Sequence, residues 1–391
     1  MTIRKIAFLT GTRADFGKLQ PLIEVIEKSK KFKCYIFVTG MHTLSKYGST
    51  YKEVKKQKYK NIFIFMNQTN STDQDIILAN TITGFSNFIK EISADLIVVH
   101  GDRIEALAGA VVGSFNNILV SHIEGGEISG TLDELIRHAI TKLSHIHFAA
   151  NEEAKKRLVQ MGESERSCYV IGSPDVQVMK STNLPEITSV KKYYEIPFDK
   201  YSICIFHPVA TEINKLSKQV KELVSSLINS KKNYVIIYPN NDNGSDIILN
   251  EYEKLRHKKN FKLFPSIRFK NFLSLLKNCE FIIGNSSVGI RESEVYGIPT
   301  INVGSRQNNR SKNKNIINVK VDKNKILKAI EKTNEKSFQP ISFFGYKHNT
   351  VEEFYELLLE EKIWKTSLQK QFIDVDKRKL KKIRQTRKNK S

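Results

Sequence analysis

Short runs of apolar, often β-branched residues alternate along the chain with longer stretches that carry apolar residues at helical spacing. The runs of the first half are Lys5–Thr10, Cys34–Thr39, Asn61–Phe65, Asp95–His100, Ile118–His122, Ile146–Ala149 and Cys168–Ile171. Helical patterns lie between them, for example over Leu19–Lys28, Asp75–Ile92 and Asp133–Leu143. Strands that alternate with helices in this way are typical of a parallel sheet with helices packed on its faces.

The same alternation begins again after 181–200, a stretch that contains proline and charged residues. The runs of this second series are Ser202–Phe206, Tyr234–Tyr238, Phe261–Phe264, Glu280–Ile283 and Thr300–Val303. We therefore predict an α/β protein with two Rossmann-like, doubly wound parallel-sheet domains that face a central cleft. The first domain is predicted over 1–180 and the second over 181–375, and a basic tail follows at 376–391.

Polar, charged and glycine residues follow many of these predicted strands. The segments are Thr10–Asp15, Thr39–His42, His100–Arg103, His122–Glu127, His207–Pro208, Pro239–Asp242 and Gly284–Ser287. Ligands of doubly wound sheets bind beyond the carboxyl ends of the strands. Polar loops are ordinary one at a time, but this set in register indicates a ligand site in a cleft between the two domains.

The composition is that of an ordinary globular chain, because 40% of the 391 residues are hydrophobic. No run reaches the roughly 18 apolar residues that a membrane-spanning helix needs. The apolar run near Met1 is too short for the core of a signal peptide, so we expect a cytoplasmic protein. The four cysteines lack a Cys-x-x-Cys spacing, and we expect them to be small core residues.

The net charge of +22 lies partly at the end of the chain, because 377–391 contains nine Lys or Arg and no acid. The rest of the chain still carries +13. That surplus suits a protein that handles anionic nucleotides, and it is also common where an AT-rich genome favours lysine. The tail is interpreted as a solvated end, with contact to nucleic acid or an anionic membrane as the alternative.

The segment Gly284–Glu292 ends a predicted strand and opens a predicted helix. Small hydroxyl residues and glycine leave backbone N–H groups free at the positive end of a helix, which suits a phosphate. Ser286 or Ser287 is also a favourable N-cap, and the two roles are compatible. Glu292, about a turn and a half into that helix, is placed to accept hydrogen bonds from ribose hydroxyls.

Three further side chains at the predicted strand ends suit a diphosphate. The first loop carries Arg13, and Lys18 follows about one helical turn later. His207 follows a strand of the second domain, and its imidazole there can donate a hydrogen bond to a diphosphate oxygen. A solvated cation is the alternative for Arg13 and Lys18, and a capping or core role is the alternative for His207.

Asp102, Glu124 and Asp133 form the sharpest chemical candidate. Asp102 and Glu124 come directly after buried-type strands, and Asp133 begins a helix. Carboxylates gathered in one cleft can remove a proton from one face of a sugar and return one to the other face. Neighbouring charges can also hold one carboxyl neutral, so that it acts as an acid. A structural ion pair with Arg103 or Arg13 is the alternative for Asp102, and a first-turn acid favoured by the helix dipole is the alternative for Asp133.

With these motifs in place, the chain to about residue 375 resembles the hydrolysing UDP-N-acetylglucosamine 2-epimerases of bacterial sialic acid synthesis, which share the GT-B fold of many glycosyltransferases. The matching stretches are Thr10–Lys18, Val38–His42, His100–Gly109, Ser121–Thr131, Ile136–His138, Lys142–His145, Ile171–Pro174 and Gly284-Asn285-Ser286-Ser287. The non-hydrolysing 2-epimerases are similar but more distant. They carry Glu-Ala-Gly in place of Glu124-Gly125-Gly126 and Glu-Glu in place of Asp133-Glu134, so these differences favour the hydrolysing branch.

The resemblance implies a role for individual residues. Asp102, Glu124 and Asp133 correspond to the catalytic carboxylates of the family. Substrate or UDP contacts are expected at Arg13, Lys18, His42, Arg103, His207, Asn240, Gly284, Asn285, Ser286, Ser287 and Glu292. In GT-B proteins the last helix often crosses back to the first domain, and here Trp364 and Phe372 within Val351–Ile373 are expected to anchor that crossing.

The implied reaction converts UDP-N-acetylglucosamine and water to UDP and N-acetylmannosamine, through anti elimination to 2-acetamidoglucal and hydration. It is the first step of sialic acid synthesis for a capsule or another surface glycan. The resemblance implies no metal or other cofactor, and it implies a homodimer or a tetramer. Neither a nucleic-acid partner nor stable membrane insertion is expected.

Three other enzymatic functions remain compatible with the sequence. The first is the same chemistry on a UDP-2,4-diacetamido-2,4,6-trideoxyhexose of the legionaminic acid pathway, because the pocket near sugar C4 and C6 cannot be read from the motifs. The second is a non-hydrolysing epimerase, which would release no free sugar. The third is a GT-B glycosyltransferase, which would need an acceptor site and would not need three carboxylates near C2.

Overall fold

Two parallel β-sheets organise the chain in a computed structural model that describes residues 3–70, 72–129, 132–307, 313–333, 339–340 and 349–374. The predicted basic tail over 376–391 lies outside the described residues, as do Gly130 and Thr131 of one quoted motif. Each sheet is covered by helices, and its central strands are buried while its edge strands are partly exposed. This confirms the predicted α/β class with two doubly wound sheets.

The first sheet has seven strands in the order β3-β2-β1-β4-β5-β6-β7, and every neighbouring pair is parallel. Its strands are β1 (Arg4–Thr10), β2 (Phe32–Val38), β3 (Ile62–Ile64), β4 (Leu96–His100), β5 (Leu119–Ile123), β6 (Ile146–Ala149) and β7 (Cys168–Val170). The accompanying helices are α1 (Arg13–Lys28), α2 (Tyr51–Lys56), α3 (Gln74–Ile92), α4 (Ile104–Phe115), α5 (Leu132–Leu143), α6 (Glu152–Gln160) and α7 (Pro174–Lys180). Because the order reverses direction between β1 and β4, the loops after these two strands open a crevice at the carboxyl edge.

The second sheet has six parallel strands in the order β10-β9-β8-β11-β12-β13. Its strands are β8 (Ser202–Ile205), β9 (Tyr234–Ile237), β10 (Phe261–Phe264), β11 (Ile282–Gly284), β12 (Thr300–Val303) and β13 (Ile316–Val319). The helices around it are α8 (Ile187–Tyr193), α9 (Ile213–Asn229), α10 (Ser245–Tyr252), α11 (Phe269–Lys277), α12 (Glu292–Tyr296) and α13 (Lys323–Lys332). Its order reverses between β8 and β11, so its crevice faces that of the first sheet.

Two details of the second half differ from the sequence-based prediction. The edge strand β13 was not predicted, because it has only four residues and none of them is fully buried. The prediction of one continuous helix from Ser286 onward is wrong. A 3-10 turn over Ser287–Gly289 comes first, and α12 begins only at Glu292. Glu292 therefore starts a short helix instead of lying within a longer one.

The end of the described chain returns to the first sheet through α14 (Thr350–Leu359) and α15 (Glu361–Trp364). Phe354 and Ile363 are buried in the core beneath β1 and β2. The Trp364 ring stacks on Phe32 at 6.0 Å between ring centroids, and the Arg4 guanidinium lies 4.2 Å from its centre. The last helices thus return to the first sheet, where Trp364 packs, whereas Phe372 is 71% exposed. The crossing between domains expected over Val351–Ile373 stays a prediction.

Side-chain burial agrees with the simple features of the composition. All four cysteines are buried and free, which confirms them as core residues. None of the helices within the described residues is both long and apolar enough to cross a membrane.

Substitution of Gly284 by alanine should unfold or strongly destabilise the second domain. Gly284 has φ +134°, and an added Cβ would lie 1.9 Å from the carbonyl oxygen of Ile205 on β8. We expect a loss of at least about 3 kcal/mol in the free energy of unfolding, because a left-handed backbone cost is joined by a collision with the backbone. Gly48→Ala is the matched control: its φ is +90° but its nearest neighbour is 3.7 Å away. It should cost only about 1–2 kcal/mol, and equal losses in denaturant titrations of the two variants would contradict the argument.

Candidate active site

Three carboxylates at the carboxyl edge of the first sheet are each paired with an arginine. Asp102 follows β4, Glu124 follows β5, and Asp133 lies in the first turn of α5. Their partners are Arg137 for Asp102, Arg291 for Glu124 and Arg306 for Asp133. Arg291 and Arg306 belong to the second domain, so Glu124 and Asp133 are held by contacts that cross the cleft, whereas Asp102 is held within the first domain.

Glu124 is the most deeply buried of the three, with 2% of its surface exposed. Its backbone adopts φ +63°, a left-handed conformation that bends the chain sharply between β5 and the two glycines that follow. The carboxylate accepts two hydrogen bonds from Arg291, at 2.6 Å to Oε2 and 2.5 Å to Oε1. It also accepts a hydrogen bond from the hydroxyl of Ser173. Arg291 and Ser173 thus hold the Glu124 carboxylate in one orientation.

Burial and the neighbouring cations shift the pKa of Glu124 in opposite directions. Burial raises the pKa, but Arg291, Lys18 and His100 together hold it well below its usual range. The His100 imidazole lies between two acids, with Nδ1 2.8 Å from Asp15 Oδ1 and Nε2 3.2 Å from Glu124 Oε2. Burial lowers the pKa of His100, and the two acids outweigh this and raise it to about 9. At neutral pH, Glu124 is therefore an anion beside a protonated histidine.

Asp102 and Asp133 are more accessible, with side chains 27% and 32% exposed. Asp102 pairs with Arg137 on α5, so the suggested alternative pairing with Arg103 or Arg13 is wrong. Asp133 Oδ2 lies 2.7 Å from Arg306 of the second domain. These two carboxylates therefore face the open part of the cleft, while Glu124 lies behind them in the protein interior.

Lys18 and Glu292 meet in the same buried network. Lys18 Nζ lies 2.9 Å from Asp175 and 3.0 Å from Glu292. Burial alone would lower the pKa of Lys18, but these two carboxylates raise it, so the ammonium group stays charged. Glu292 is 3% exposed, and its Oε2 has no hydrogen-bond partner among the described residues. An unpaired buried carboxylate oxygen is available to a ligand hydroxyl. Arg13 is engaged elsewhere, by Glu53 at 2.5 Å and Ser266 at 2.8 Å.

His207 is held in a defined orientation by the loops of the second domain. Its Nδ1 accepts a hydrogen bond from the backbone N–H of Asn240 at 3.2 Å. The Asn285 side chain accepts from the backbone N–H of His207 at 2.7 Å and donates to its carbonyl at 2.8 Å. Burial first, then Arg306 and Arg103, lower its pKa well below the usual range. The ring is therefore neutral with its proton on Nε2, and Nε2 has no partner among the described residues.

The remaining predicted binding residues line the surrounding loops. Ser286 caps the 3-10 turn after Gly284 and accepts from the Val288 N–H, and Ser287 is half-buried beside it. Arg103 donates to Asn241 of the second domain at 3.1 Å. His42 is fully buried between hydroxyls of Thr10 and Thr50.

Burial lowers the pKa of His42 to about 4, so its imidazole is neutral. Both of its ring nitrogens already face a threonine hydroxyl, at 3.2 Å for Nε2 and 2.7 Å for Nδ1. The structure thus gives His42 a place in the core beneath the loop and does not bring it to the surface of the cleft.

Sequence reasoning missed four residues that shape this site: Arg291, Arg306, His100 and Asp175. Arg291 stands directly before Glu292 in a motif that had been singled out, and a buried arginine requires an acid partner. Arg306 lies in the loop that follows β12, so the same test of strand ends would have found it if extended by one strand. His100 opens the strand-end segment His100–Arg103, and Asp175 directly follows the motif Ile171–Pro174. Their role nevertheless arises only from side chains that meet in space.

Comparisons with known proteins identify relatives over nearly the whole chain. A family model described as UDP-N-acetylglucosamine 2-epimerase matches residues 24–358. The chain is 46% identical to UDP-N-acetylglucosamine 2-epimerase of Neisseria meningitidis serogroup B, over 96% of this chain and 100% of that protein. It is 32% identical to UDP-N,N'-diacetylbacillosamine 2-epimerase (hydrolyzing) of Legionella pneumophila, with 91% and 96% covered. It is also 32% identical to polysialic acid biosynthesis protein P7 of Escherichia coli, with 86% and 88% covered.

Solved structures share the fold. The Methanocaldococcus jannaschii UDP-GlcNAc 2-epimerase in complex with UDP-GlcNAc and UDP superposes with a TM-score of 0.76 at 23% identity, covering 91% of this chain and 99% of that one. A UDP-GlcNAc 2-epimerase from Neisseria meningitidis bound to UDP-GlcNAc gives a TM-score of 0.75 at 20% identity, with the same coverage. At these identities the likeness shows the GT-B arrangement of two facing sheets.

The charged state of His100 should make stability depend on pH. Because the pKa of His100 rises from 6.5 to about 9 on folding, its contribution is fully present below pH 6.5 and is lost as pH rises through 9. We expect the stability difference between the native protein and His100→Gln to shrink by about 3 kcal/mol between pH 6.5 and 9.5. Denaturant unfolding at several pH values measures it, and the comparison cancels titration of the buried cysteines.

His257→Gln, which replaces an exposed histidine of the second domain, is the matched control. The native protein and this control variant should differ by a constant amount over the same pH range. A constant difference for His100→Gln as well would show that the buried imidazole is uncharged.

Proposed function

The chain belongs to the UDP-N-acetylglucosamine 2-epimerase family, and from this premise we propose that it is a hydrolysing enzyme. Its substrates are UDP-N-acetylglucosamine and water, and its products are UDP and N-acetylmannosamine. The observation that carries the proposal is the group of three carboxylates Asp102, Glu124 and Asp133, each held by an arginine at the edge where the two sheets face each other. A transferase that only exchanges the group at C1 has no need for several acids beside the sugar.

In the proposed complex, UDP binds against the second domain. The neutral His207 offers its Nε2–H to a diphosphate oxygen, and Arg306 lies beside it with a guanidinium 3.3 Å from the Asn285 carbonyl. Ser286 and Ser287 add hydroxyls and backbone N–H groups at the end of β11. The free Oε2 of Glu292 accepts from a ribose hydroxyl. Arg13 and Lys18 are bound to acids, so their contact with the diphosphate requires an exchange of partners and stays a prediction.

The first step is elimination across C1 and C2. The bond between C1 and the diphosphate oxygen breaks, and UDP leaves with the bonding pair while Arg306 and His207 stabilise its charge. The oxocarbenium character that develops at C1 makes the C2 proton removable by a carboxylate. Loss of that proton forms the C1–C2 double bond of 2-acetamidoglucal.

The second step is hydration of the glucal. Water adds its hydroxyl to C1, and a carboxyl group delivers a proton to C2 from the face opposite to the one that lost it. C2 is thereby inverted, and free N-acetylmannosamine is released. The sum of both steps is the addition of one water molecule to UDP-N-acetylglucosamine with loss of UDP.

The environments of the three acids suggest a division of labour. Glu124 stays ionised because Arg291 and His100 surround it, so it does not deliver a proton as an acid, and its role is that of a base or of a fixed negative charge. Asp102 and Asp133 are partly exposed to the cleft and are placed to carry the protons on the two faces of C2. Release of Asp133 from Arg306 when the diphosphate takes that arginine would free it for this task.

The biological setting follows from the product. N-acetylmannosamine is a precursor of sialic acid, and a relative named for polysialic acid biosynthesis covers most of this chain. The Legionella relative acts on UDP-N,N'-diacetylbacillosamine by its name, so the same chemistry on a sugar with an acetamido group at C4 is the second candidate.

A homodimer is proposed as the working form of the enzyme. Phe115 and Leu135 are 81% and 68% exposed on the neighbouring helices α4 and α5. The family resemblance carries this proposal, and these two exposed side chains are its candidate contact residues.

Incubation of the protein with UDP-N-acetylglucosamine in deuterated water should yield UDP and N-acetylmannosamine with one deuterium at C2. The substrate loses its C2 hydrogen during elimination and gains one from solvent during hydration. NMR spectroscopy of the released sugar reads both its identity and its label. Retention of the original hydrogen at C2 would exclude elimination. Turnover of UDP-N,N'-diacetylbacillosamine alone would support the second candidate.

Asp102→Asn and Glu124→Gln should each lower kcat by roughly two to four decades, the range expected for loss of an acid, a base or a buried catalytic charge. Supplying 2-acetamidoglucal separates the two steps. A variant that lacks only the base of elimination should still hydrate the glucal at a near-native rate, whereas a variant that lacks the acid should not.

Glu352→Gln is a matched control, because this acid lies on α14, away from the cleft. It should turn over normally. Normal turnover in both Asp102→Asn and Glu124→Gln would remove these acids from the mechanism.

A further inference from the structure

The segment that follows α15, residues 365–374, runs along the far end of α5 and inserts one lysine there. Lys370 Nζ donates to the backbone carbonyls of Thr141, Lys142 and Ser144, at 2.8, 3.0 and 2.6 Å. These carbonyls belong to the last turn of α5 or directly follow it. A side chain far along the sequence thus closes the end of a helix whose first turn carries Asp133.

Such a contact satisfies groups that a helix leaves unpaired. The last carbonyls of an α-helix have no partner within the helix, and its carboxyl end carries partial negative charge. A lysine ammonium offers three donors and a positive charge, and here it meets three carbonyls together. Lys370 is therefore the C-terminal cap of α5.

The cap is fixed to the first sheet through Glu163, whose side chain is 1% exposed. Glu163 Oε2 lies 2.5 Å from Lys370 and 3.0 Å from His147 Nε2, while Oε1 lies 2.7 Å from Lys142. The backbone N–H of Ile373 also donates to the Gly162 carbonyl at 3.2 Å. The segment is consequently held at a defined position against the body of the domain.

Helix α5 packs on the first domain through a narrow apolar face, in which Ile136 and Leu143 are partly buried beside Ile140. Ile140 is its only fully buried apolar residue, while Leu132 and Leu135 are 44% and 68% exposed. Restraint of the helix ends adds to this apolar face, because the last carbonyls of a helix have no partner within the helix and leave its final turn prone to open. At the amino end, the tie to the second domain is the Asp133–Arg306 pair, which the proposed mechanism breaks when the diphosphate binds.

We propose that Lys370 is a positioning residue for the reaction, because it fixes the helix that presents Asp133 and orients Asp102 through Arg137. The twelve residues of α5 span about 18 Å, so Lys370 acts on the carboxylates through the helix and touches no substrate. The inference rests on the proposed function for its catalytic part and on the described contacts for its structural part. It assigns the C-terminal segment a part in catalysis without placing it in the cleft.

The test compares Lys370→Met, Lys370→Gln and Lys370→Arg with the native full-length protein. Lys365→Met is the matched control, because Lys365 is an exposed lysine of the same segment with no side-chain hydrogen bond or ion pair among the described residues. Turnover of UDP-N-acetylglucosamine gives kcat and KM, and hydrogen exchange followed by mass spectrometry gives the protection of residues 132–144. Thermal unfolding reports any general loss of stability.

Lys370→Met should lower kcat roughly tenfold to a hundredfold, the effect expected when catalytic groups are misplaced by about an ångström. KM should stay within about twofold, because the UDP contacts lie on the other domain. The amides of α5 should exchange about tenfold faster while the rest of the first domain is unchanged. Lys370→Arg should restore kcat and protection, Lys370→Gln should fall between, and Lys365→Met should match the native protein.

Native kcat in Lys370→Met would overturn the proposal, as would a loss of kcat with unchanged protection of α5 or without rescue by arginine. If Lys370→Met does not fold, Lys370→Gln and Lys370→Arg decide by the same criteria. Absence of turnover in the native protein would contradict the proposed function instead. The exchange data would then still show whether Lys370 holds the helix.

Discussion

The buried ion pair between Glu124 and Arg291 ties the two domains together at the point where the proposed chemistry occurs. Both side chains are almost fully buried, and neither charge could be buried without the other, because an unpaired ion in the protein interior costs several kcal/mol. The pair therefore requires that the second domain stay against the first. It also sets the state of Glu124, whose pKa Arg291 and His100 hold low against the effect of burial.

Around this pair, the charges are arranged so that opposite signs meet across the cleft. Lys18 of the first domain meets Glu292 of the second, and Asp133 of the first meets Arg306 of the second. The more buried contacts, those of Glu124 and Lys18, hold the domains together, whereas the Asp133–Arg306 contact, in which the aspartate is 32% exposed, can open. The Asp133–Arg306 contact is therefore the one that a diphosphate can replace, because its aspartate can be solvated when the arginine changes partner.

The C-terminal return gives the first domain a second set of restraints. The helices α14 and α15 complete the core beneath β1 and β2, and the segment after them closes the end of α5. A chain that leaves the first domain near residue 180 thus comes back to stabilise it. Helix α5 is held at one end by Arg306 of the second domain and at the other end by Lys370 of the segment 365–374.

By itself, the sequence determined the two parallel sheets and the edge at which polar groups gather. Strand and helix periods are local, and parallel strands must place their carboxyl ends together, so the positions of Asp102 and Glu124 at one edge followed from the pattern. The short edge strand β13 and the break between Ser287–Gly289 and α12 escaped prediction because neither has a local period. Only the tertiary structure decided which cation meets which acid. Arg291 with Glu124, Arg137 with Asp102 and Lys370 with the end of α5 are separated by 167, 35 and 226–229 residues. Pairing at such separations depends on tertiary packing, which no local pattern encodes.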